Sequence, residues 1–482
     1  MCKTATMKIV VLGSGYVGLV ASAGLCEIGH NVTCVDCDRE RIRELRRGIL
    51  PIHEEDLPGL VAKHLGKRLH FSDELASAVV DSKVVFIAVG TPAGENGEAD
   101  LSYVERVSRE LASTLKSYTV IVEKSTVPIY TSKWIKRSML MNGAPPELFD
   151  VVSNPEFLRE GSAVVDFLYP DRIVVGGEND KAVGILQEVY EELKSGAYYR
   201  KPDRIKGPSQ FPRRAKLITT STESAELIKH VSNAFLALKI SFINAVANIC
   251  EAVGADITEV ADGIGADQRI GPEFLRSGIG YGGSCFPKDL KAFRAVAAQM
   301  GCDLRLLDEV AAINEEQQRR FLGKLKTALW NLRGKHVAVL GLSFKGGTDD
   351  IRESPAVAIL TKVLEETCSV SAYDPVAMPR VRELFTDHAA LTFSNSAYDA
   401  VKGAEAVLIL TDWSEFTQLD LARVRSLMKT PIMVDGRNLF DPERMAEKGF
   451  VYFSIGRGPV YPREFPLEFA KLSSLASVSA LY

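Results

Sequence analysis

The run GIGYGGSCFPKD, residues 278–289, holds the best-placed nucleophile in this chain, Cys285. Glycines and a serine lead into the cysteine, and Pro287 reads as the opening of a helix, where a missing N–H costs nothing. A thiol just before a helix N-terminus lies among free N–H groups and the positive end of the dipole. With Lys288 close by, that setting favours the thiolate. The glycines leave room for a ligand to approach the backbone, and Asp289 stands one helical turn beyond the thiol. The same residues also fit a cysteine that only fills space before an ordinary helix.

Other positions carry chemistry of their own. Lys229 and Asn233 lie one turn apart within a long apolar stretch, a pairing that suits a site because a lone buried lysine is costly. Glu156 and Glu160, in NPEFLREG, are four apart and share a face if the segment turns helically. Thr91 in VGTP and Thr126 in EKSTVP follow strand-like runs, at the carboxyl ends where open parallel sheets bind ligands. Both also fit as simple helix caps.

The elements that hold these residues read as alternating strands and helices. Residues 7–12 form an apolar strand, Gly13, Gly15 and Gly18 of GSGYVG open a helix to about residue 28, and Asn31–Val35 forms a second strand ending at Asp36. Strand, GxGxxG, helix, strand and acid, with the acid near the ~20-residue offset, make up a dinucleotide fingerprint. An acid at Asp36 selects a free ribose 2′-hydroxyl, hence NAD. Cys26, His30, Cys34 and Cys37 imitate a metal-ligand spacing, but no second ligand pair accompanies them and no metal is expected. Strands follow at residues 83–89, 120–123 and 171–177, and residues 150–161 repeat the pattern between the last two. Residues 196–214, rich in Lys, Arg, Pro and Tyr, read as an exposed basic loop. TSTE at 220–223 is a capping box for a helix of about 30 residues, ~45 Å long. Its apolar residues wrap most of its circumference, so burial between domains or against a partner subunit is expected. A shorter helix from Ile257 leads back to the Cys285 stretch.

Residues 335–341 restart the strand pattern, with further strands at Ser369–Tyr373, 406–410 and 432–434. GxGxxG is missing at the first turn of this set. Lys345 occupies the turn instead, which suits a nucleotide other than the dinucleotide. The expected fold class is therefore α/β, with two doubly wound Rossmann-like domains joined by a long central helix and a helical dimerisation region. The expected domains are 1–215, 216–325 and 326–482; the stretch from about Glu464 has no assignment.

A chain of 482 residues exceeds one hydrophobic core, in keeping with several domains. Its 46% apolar and 25% charged content is ordinary for a globular protein, and a net charge of −4 gives no nucleic-acid or polybasic membrane surface. Eight cysteines are too sparse for a disulfide scaffold and fit a reducing compartment. The uncharged run 9–26 reads as strand–turn–helix rather than a membrane segment. A cytoplasmic protein with no membrane partner is expected.

With these pieces in place the chain resembles the UDP-glucose 6-dehydrogenase family within the nucleotide-sugar dehydrogenases. The motifs are GSGYVG, VDCD, VGTP, EKSTVP, NPEFLREG, AELIKHVSNAFLA, GADQRIGPEFL, GYGGSCFPKD and GLSFKGGTDDIRES, spread over nearly the whole length. The resemblance implies oxidation of a sugar C6 alcohol to a carboxylate with two NAD+, through a thiohemiacetal and a thioester on Cys285. It implies that Lys229 and Asn233 stabilise the oxyanion, that Asp289 and Thr126 serve water and proton relay, and that Glu156 is the general acid/base, with Glu160 near cofactor and sugar. Cofactor contacts would come from Gly13, Gly15, Tyr16, Val17, Gly18, Asp36, Arg41, Thr91, Thr126, Glu160, Lys288 and Arg352. UDP-glucose contacts would come from Glu156, Phe157, Leu158, Arg159, Glu160, Lys229, Asn233, Phe274, Leu275, Arg276, Ser277, Tyr281, Gly282, Phe344, Lys345 and Arg437. Arg269 matches a position lent across a homodimer interface. GDP-mannose is the nearest alternative substrate, and DQRIGPEFL at 267–275 favours UDP-glucose. A non-catalytic NAD-sensing protein is the alternative of a different class. The basic segment 198–214 is longer than the family pattern.

Overall fold

The computed structural model describes residues 5–464 apart from 93, 95–97, 210, 212, 213 and 387. The chain divides into two compact units, residues 1–232 with 288–302, and residues 233–287 with 303–482. Residues 465–482 of the expected third domain lie outside the described residues.

The first unit is built on eight strands: β1 (Lys8–Leu12), β2 (Asn31–Val35), β3 (Leu69–Ser72), β4 (Val84–Ile87), β5 (Thr119–Glu123), β6 (Phe149–Ser153), β7 (Arg172–Gly176) and β8 (Lys216–Thr220). Their order across the sheet is β3-β2-β1-β4-β5-β6-β7-β8. Neighbours run parallel except β6 and β7, which meet antiparallel at Ser153 and Gly176. Alternate residues of β1 enter opposite cores: Ile9 and Val11 pack with Leu19, Phe86 and Val122, while Val10 and Leu12 pack with Val85, Ile87 and Ile121. A strand covered on both faces needs an unbroken apolar run, which is what KIVVL supplies.

The second unit repeats the plan with β9 (His336–Leu340), β10 (Ser369–Tyr373), β11 (Leu391–Phe393), β12 (Ala406–Ile409), β13 (Ile432–Asp435) and β14 (Val451–Phe453). The order is β11-β10-β9-β12-β13-β14, parallel throughout. Val337 and Val339 enter one core, Ala338 and Leu340 the other. In both sheets the chain leaves the first strand in two directions, so a crevice opens at its carboxyl end.

The long helix runs Thr222–Val253. Its cap is not the expected capping box. Thr220 ends β8, and Ser221 takes the capping place, its Oγ accepting from Ser224 N at 3.2 Å. Glu223 pairs with Lys133 instead. Ala225, Ala234, Ala237, Ile243, Ala247 and Cys250 are buried, whereas Leu227, Val231, Phe235, Phe242, Ile249 and Val253 form an exposed apolar stripe. By length and composition this helix could cross a membrane, but it carries buried Glu226, Lys229, His230 and Asn233, as the core helix of a folded domain can.

The segment 196–214 differs from the exposed loop expected of it. Tyr198 is fully buried and packs edge-on to Tyr169 and Tyr199 at centroid separations of 6.1 and 5.7 Å, with Phe211 against Tyr199 at 4.8 Å. Tyr169 Oη donates to Ile205 O at 2.5 Å, and Ile205 N donates to Tyr198 Oη at 3.1 Å. Charged side chains of the segment face solvent, among them Asp203, Arg204 and Lys206; composition reports those charges and hides the aromatic anchors. Tyr198→Ala should therefore cost about 3 kcal/mol or more and lower the thermal midpoint by several degrees, as truncation of a buried aromatic does. An unchanged melt would show that this segment only covers the surface.

Candidate active site

At the end of β1, Gly13 has φ +102°, and a Cβ there would collide with the Ala88 carbonyl. A Cβ on Gly18 would strike the Gly13 carbonyl, so that glycine lets the helix Tyr16–Glu27 lie close to β1. Gly15 differs, because a Cβ there meets nothing within 4 Å. Open space thus stands over a helix N-terminus with free N–H groups, as a pyrophosphate requires. Asp36 Oδ2 accepts from Ser14 N and Ser14 Oγ, both at 2.7 Å, and Arg41 lies 3.6 Å from it. Burial pushes this carboxyl up, but the Asp38 and Ser14 donors and Arg41 outweigh it and hold Asp36 ionised, below the usual range. An ionised acid beside an open glycine turn fits a dinucleotide whose ribose hydroxyls need an acceptor.

Three further anchors were absent from the reading of the sequence. Glu54 accepts from Gly161 N and Ala163 N, both at 2.7 Å, and from the Tyr16 hydroxyl. It therefore ties the glycine helix to the turn after Glu160. Thr91 Oγ1 donates to Thr126 O at 2.8 Å and accepts from Lys288 Nζ at 3.1 Å, so three of the expected cofactor residues brace one another. Asp289 is buried, with Lys288 Nζ at 3.6 Å. Lys124 and Asn154 complete the set. Lys124 Nζ donates to Asn154 O and Oδ1, each at 3.1 Å, and Tyr190 Oη donates to the same Oδ1 at 2.7 Å.

Glu156 and Glu160 do not share a helical face, because residues 154–159 run as irregular chain after β6. Glu156 is buried, and its Oε1 accepts from Lys229 Nζ at 2.8 Å while Oε2 accepts from Leu158 N at 2.6 Å. Burial raises this carboxyl's pKa, but Lys229, the Leu158 N–H and Lys124 reverse the shift, so Glu156 sits below the usual carboxylate range. Arg172 stacks 3.7 Å from the Phe157 ring, and Arg159 Nη2 is held by Asp166 at 2.6 Å. Glu160 and Leu158 are half-buried. Lys229 and Asn233 are both buried on the long helix, one turn apart.

In the second unit Cys285 is half-buried and directly precedes the helix Phe286–Gln299. Its Sγ lies 3.6 Å from Ser284 Oγ. The glycines before it answer a different need from the one read in the sequence. A Cβ on Gly278 would crowd Gly436 O at 2.9 Å, one on Gly280 would crowd Asn314 Oδ1 at 2.6 Å, and one on Gly283, at φ +83°, would meet the Phe344 ring. They thread the loop through its own domain. Ser277, Ile279 and Tyr281 are buried, as is Leu275, while Arg276 is exposed. Phe274 takes φ 64°. Tyr281 N donates to Asn314 Oδ1 at 2.8 Å, and Gly278 N to Asn244 Oδ1 at 2.8 Å. Gly282 packs against the Glu353 carbonyl.

Arg437 Nε donates to Leu410 O and Nη2 to Phe344 O, both at 2.8 Å, linking the ends of β9, β12 and β13. Lys345 Nζ lies 5.6 Å from the Phe344 ring centre. Arg352 chelates Asp350, with Nη2 to Oδ2 at 2.7 Å, and exposed Arg269 does the same with Asp267 at 2.5 Å. Of the apparent metal set, His30 Nδ1 accepts from Met7 N and its Nε2 faces Val189 O at 2.8 Å, so both ring nitrogens hold the backbone. Cys26 and Cys34 are core residues, and Cys37 is exposed.

Three family models match in order: the NAD binding domain of the UDP-glucose/GDP-mannose dehydrogenase family over residues 7–194, its central domain over 223–316, and its UDP binding domain over 338–442. The chain belongs to the UDP-glucose/GDP-mannose dehydrogenase family. It is 43% identical to UDP-glucose 6-dehydrogenase TuaD of Bacillus subtilis, over 94% of each chain. It is 44% identical to a UDP-glucose 6-dehydrogenase of Rhizobium meliloti, over 94% of this chain and all of that one. Among solved structures, a UDP-glucose dehydrogenase from Pyrobaculum islandicum is similar with TM-score 0.84 and 34% identity, covering 95% of this chain and 99% of that one. An NAD-dependent oxidoreductase built on two Rossmann-like domains follows from this membership.

The cysteines separate by accessibility. Burial pushes the Cys26 and Cys34 thiols up to about 12 and the Cys368 thiol up to about 11. Iodoacetamide at pH 8 should therefore label Cys37, Cys285 and Cys302 in the folded protein and spare the buried Cys26, Cys34, Cys250 and Cys368, as read by peptide mass spectrometry. Labelling of Cys34 ahead of Cys285 would contradict the assignment of the accessible thiol.

Proposed function

We propose that the protein oxidises UDP-glucose at C6 to UDP-glucuronate, a four-electron change that reduces two NAD+ per sugar. The observation that carries this reading is the buried ion pair of Glu156 and Lys229, joined at 2.8 Å in a chain of a sugar-nucleotide dehydrogenase family that also carries Cys285 before a helix. A buried ammonium and carboxylate are costly to hold and are suited to managing charge at a reacting carbonyl.

The dinucleotide supplies the hydride acceptor. Gly13, Gly15, Tyr16, Val17 and Gly18 seat its pyrophosphate, Asp36 and Arg41 take the adenosine ribose, and Thr91, Thr126, Glu160, Lys288 and Arg352 complete its contacts. Lys345, Phe344, Arg437 and the loop 274–282 hold the UDP moiety, with Phe157, Leu158 and Arg159 beside the sugar. Arg269 serves the same ligand in an assembled oligomer.

In the first oxidation the C6 hydroxyl gives its proton to the relay of Asp289, Thr126 and water while carbon C6 gives up a hydride to the dinucleotide, leaving an aldehyde. The Cys285 thiolate adds to that carbon, and Lys229 and Asn233 stabilise the alkoxide of the thiohemiacetal. Loss of a second hydride leaves a thioester on Cys285. Asp289 and Thr126 then position water, Glu156 accepts its proton as the water attacks, and the Cys285 thiolate departs from the carboxylate.

The same reading includes a homo-oligomer in the cytoplasm. Leu227, Val231, Phe235, Phe242, Ile249 and Val253 make a continuous apolar stripe along one helix, and a second copy of that helix is its proposed occupant. A two-fold axis would set the stripe against itself.

With UDP-glucose and NAD+, about two NADH should form per sugar consumed, and Cys285→Ala should reduce turnover by at least about a thousandfold. Oxidation of GDP-mannose but not UDP-glucose would contradict the substrate. In a separate experiment, Phe235→Asp with Phe242→Asp should shift the protein to monomer in light scattering. An unchanged mass would rule out this stripe as the interface.

A further inference from the structure

We propose that Lys124 is a positioning residue for Glu156, fixing the path of the turn through residues 154–156 and the charge state in which Glu156 works. The inference rests on the reading of Glu156 as the general acid/base. Lys124 lies one residue past β5, whose neighbour β6 runs straight into Asn154. Its ammonium is buried and donates to Asn154 O and Asn154 Oδ1, each at 3.1 Å. Every other polar group of Asn154 also has a partner. Asn154 N donates to Glu123 O at 2.8 Å, Nδ2 donates to Val174 O at 2.7 Å, and Tyr190 Oη donates to Oδ1 at 2.7 Å. The residue before Pro155 is thereby held from β5, from Lys124 just beyond it, from β7 and from Tyr190, which fixes where Glu156 follows.

The charge of Lys124 has a purpose beyond this clamp. Both of its Asn154 acceptors are neutral, and a buried ammonium on neutral acceptors is expensive unless a nearby anion offsets it. The charged groups facing it are Glu156, Glu123 on its own strand and Lys229 from the long helix. Glu123 is fully buried, its Oε1 meets no hydrogen-bond donor among the described residues, and burial with the nearby Glu226 drives its pKa well above the usual value, whereas Glu156 is held below it. Glu156 is thus the anion that Lys124 addresses. Burial brings the Lys124 ammonium down to about 8, opposed by Glu156 and Glu123, so it remains charged at neutral pH. Lys229 touches Glu156 directly and Lys124 supports it from behind. When Lys229 is drawn toward a developing oxyanion, Lys124 keeps the carboxylate from taking a proton prematurely.

The sign follows directly. Removing a positive charge near a carboxylate raises its pKa, so the acid limb of kcat moves to higher pH. In Lys124→Gln, which keeps an amide donor without the charge, the limb should rise by about one pH unit or more, and kcat below it should fall about tenfold relative to wild type. KM for UDP-glucose and NAD+ should stay within about twofold. Lys124→Arg keeps the charge and should retain the wild-type limb, and Tyr190→Phe, which disturbs the same Asn154 clamp without a charge change, should leave the limb in place. If Lys124→Gln does not fold, Lys124→Met, apolar in a buried site, is compared in its stead. Equal loss of turnover at every pH in the neutral variant, or a displaced limb in Lys124→Arg, would overturn the proposal. Glu156→Gln tests the reading beneath it: if that variant keeps the wild-type limb, Glu156 is not the titrating group. If it loses the limb while Lys124→Gln keeps it, only the role of Lys124 falls.

Discussion

The buried pair of Glu156 and Lys229 constrains much of the first unit. Neither charge can be left alone at that depth, since an unpaired buried ion costs several kcal/mol. Their 2.8 Å contact therefore requires β6 to end at Ser153, so that the irregular chain after it brings Glu156 to Lys229. It also requires the long helix to start at Ser221, which sets where Lys229 falls along its length. The same helical frame puts Asn233 one turn further on and leaves the apolar stripe on another face. A single ion pair thus connects strand length, helix register and the chemistry proposed for the site.

The two sheets show how one plan serves two ligands. At the first turn of each, a glycine with positive φ follows the opening strand, Gly13 in one and Gly341 in the other, and an acid follows the second strand. Asp36 binds only Ser14 and Asp38 within its turn and has Arg41 nearby, which leaves room for a ribose. Asp374 is fully buried and accepts from Leu342 N, Ser343 N, Val376 N, Ala377 N and Trp413 Nε1. In the second sheet the acid has become structural, bonded within its own domain.

Ten of the fourteen strands among the described residues are legible in the sequence, because a parallel strand covered on both faces must be apolar throughout, as VVFI and AVLI are. The four that were not read, LHFS, KLITT, LTF and VYF, are the outermost strands of the two sheets. An edge strand has one neighbour and partial cover, so its sequence is short and mixed. Site residues divide in a similar way. The glycine fingerprint and Asp36 could be read because local geometry dictates them. Lys124, Asn154 and Glu54 could not, because the side-chain partners named above lie 20 to 109 residues away. The glycines before Cys285 were legible as glycines but not in purpose: their neighbours are Asn314, Phe344 and Gly436, which no local pattern reveals.

The central claim is that Cys285 carries the oxidised sugar as a covalent thioester. Acid quenching during turnover with UDP-glucose and NAD+, followed by peptide mass spectrometry, tests it directly. The account predicts an adduct of the UDP-glucuronyl group on the Cys285 peptide, dependent on NAD+ and released by mild base. NADH formation in the burst with no adduct, or with the adduct on any other residue, would contradict it.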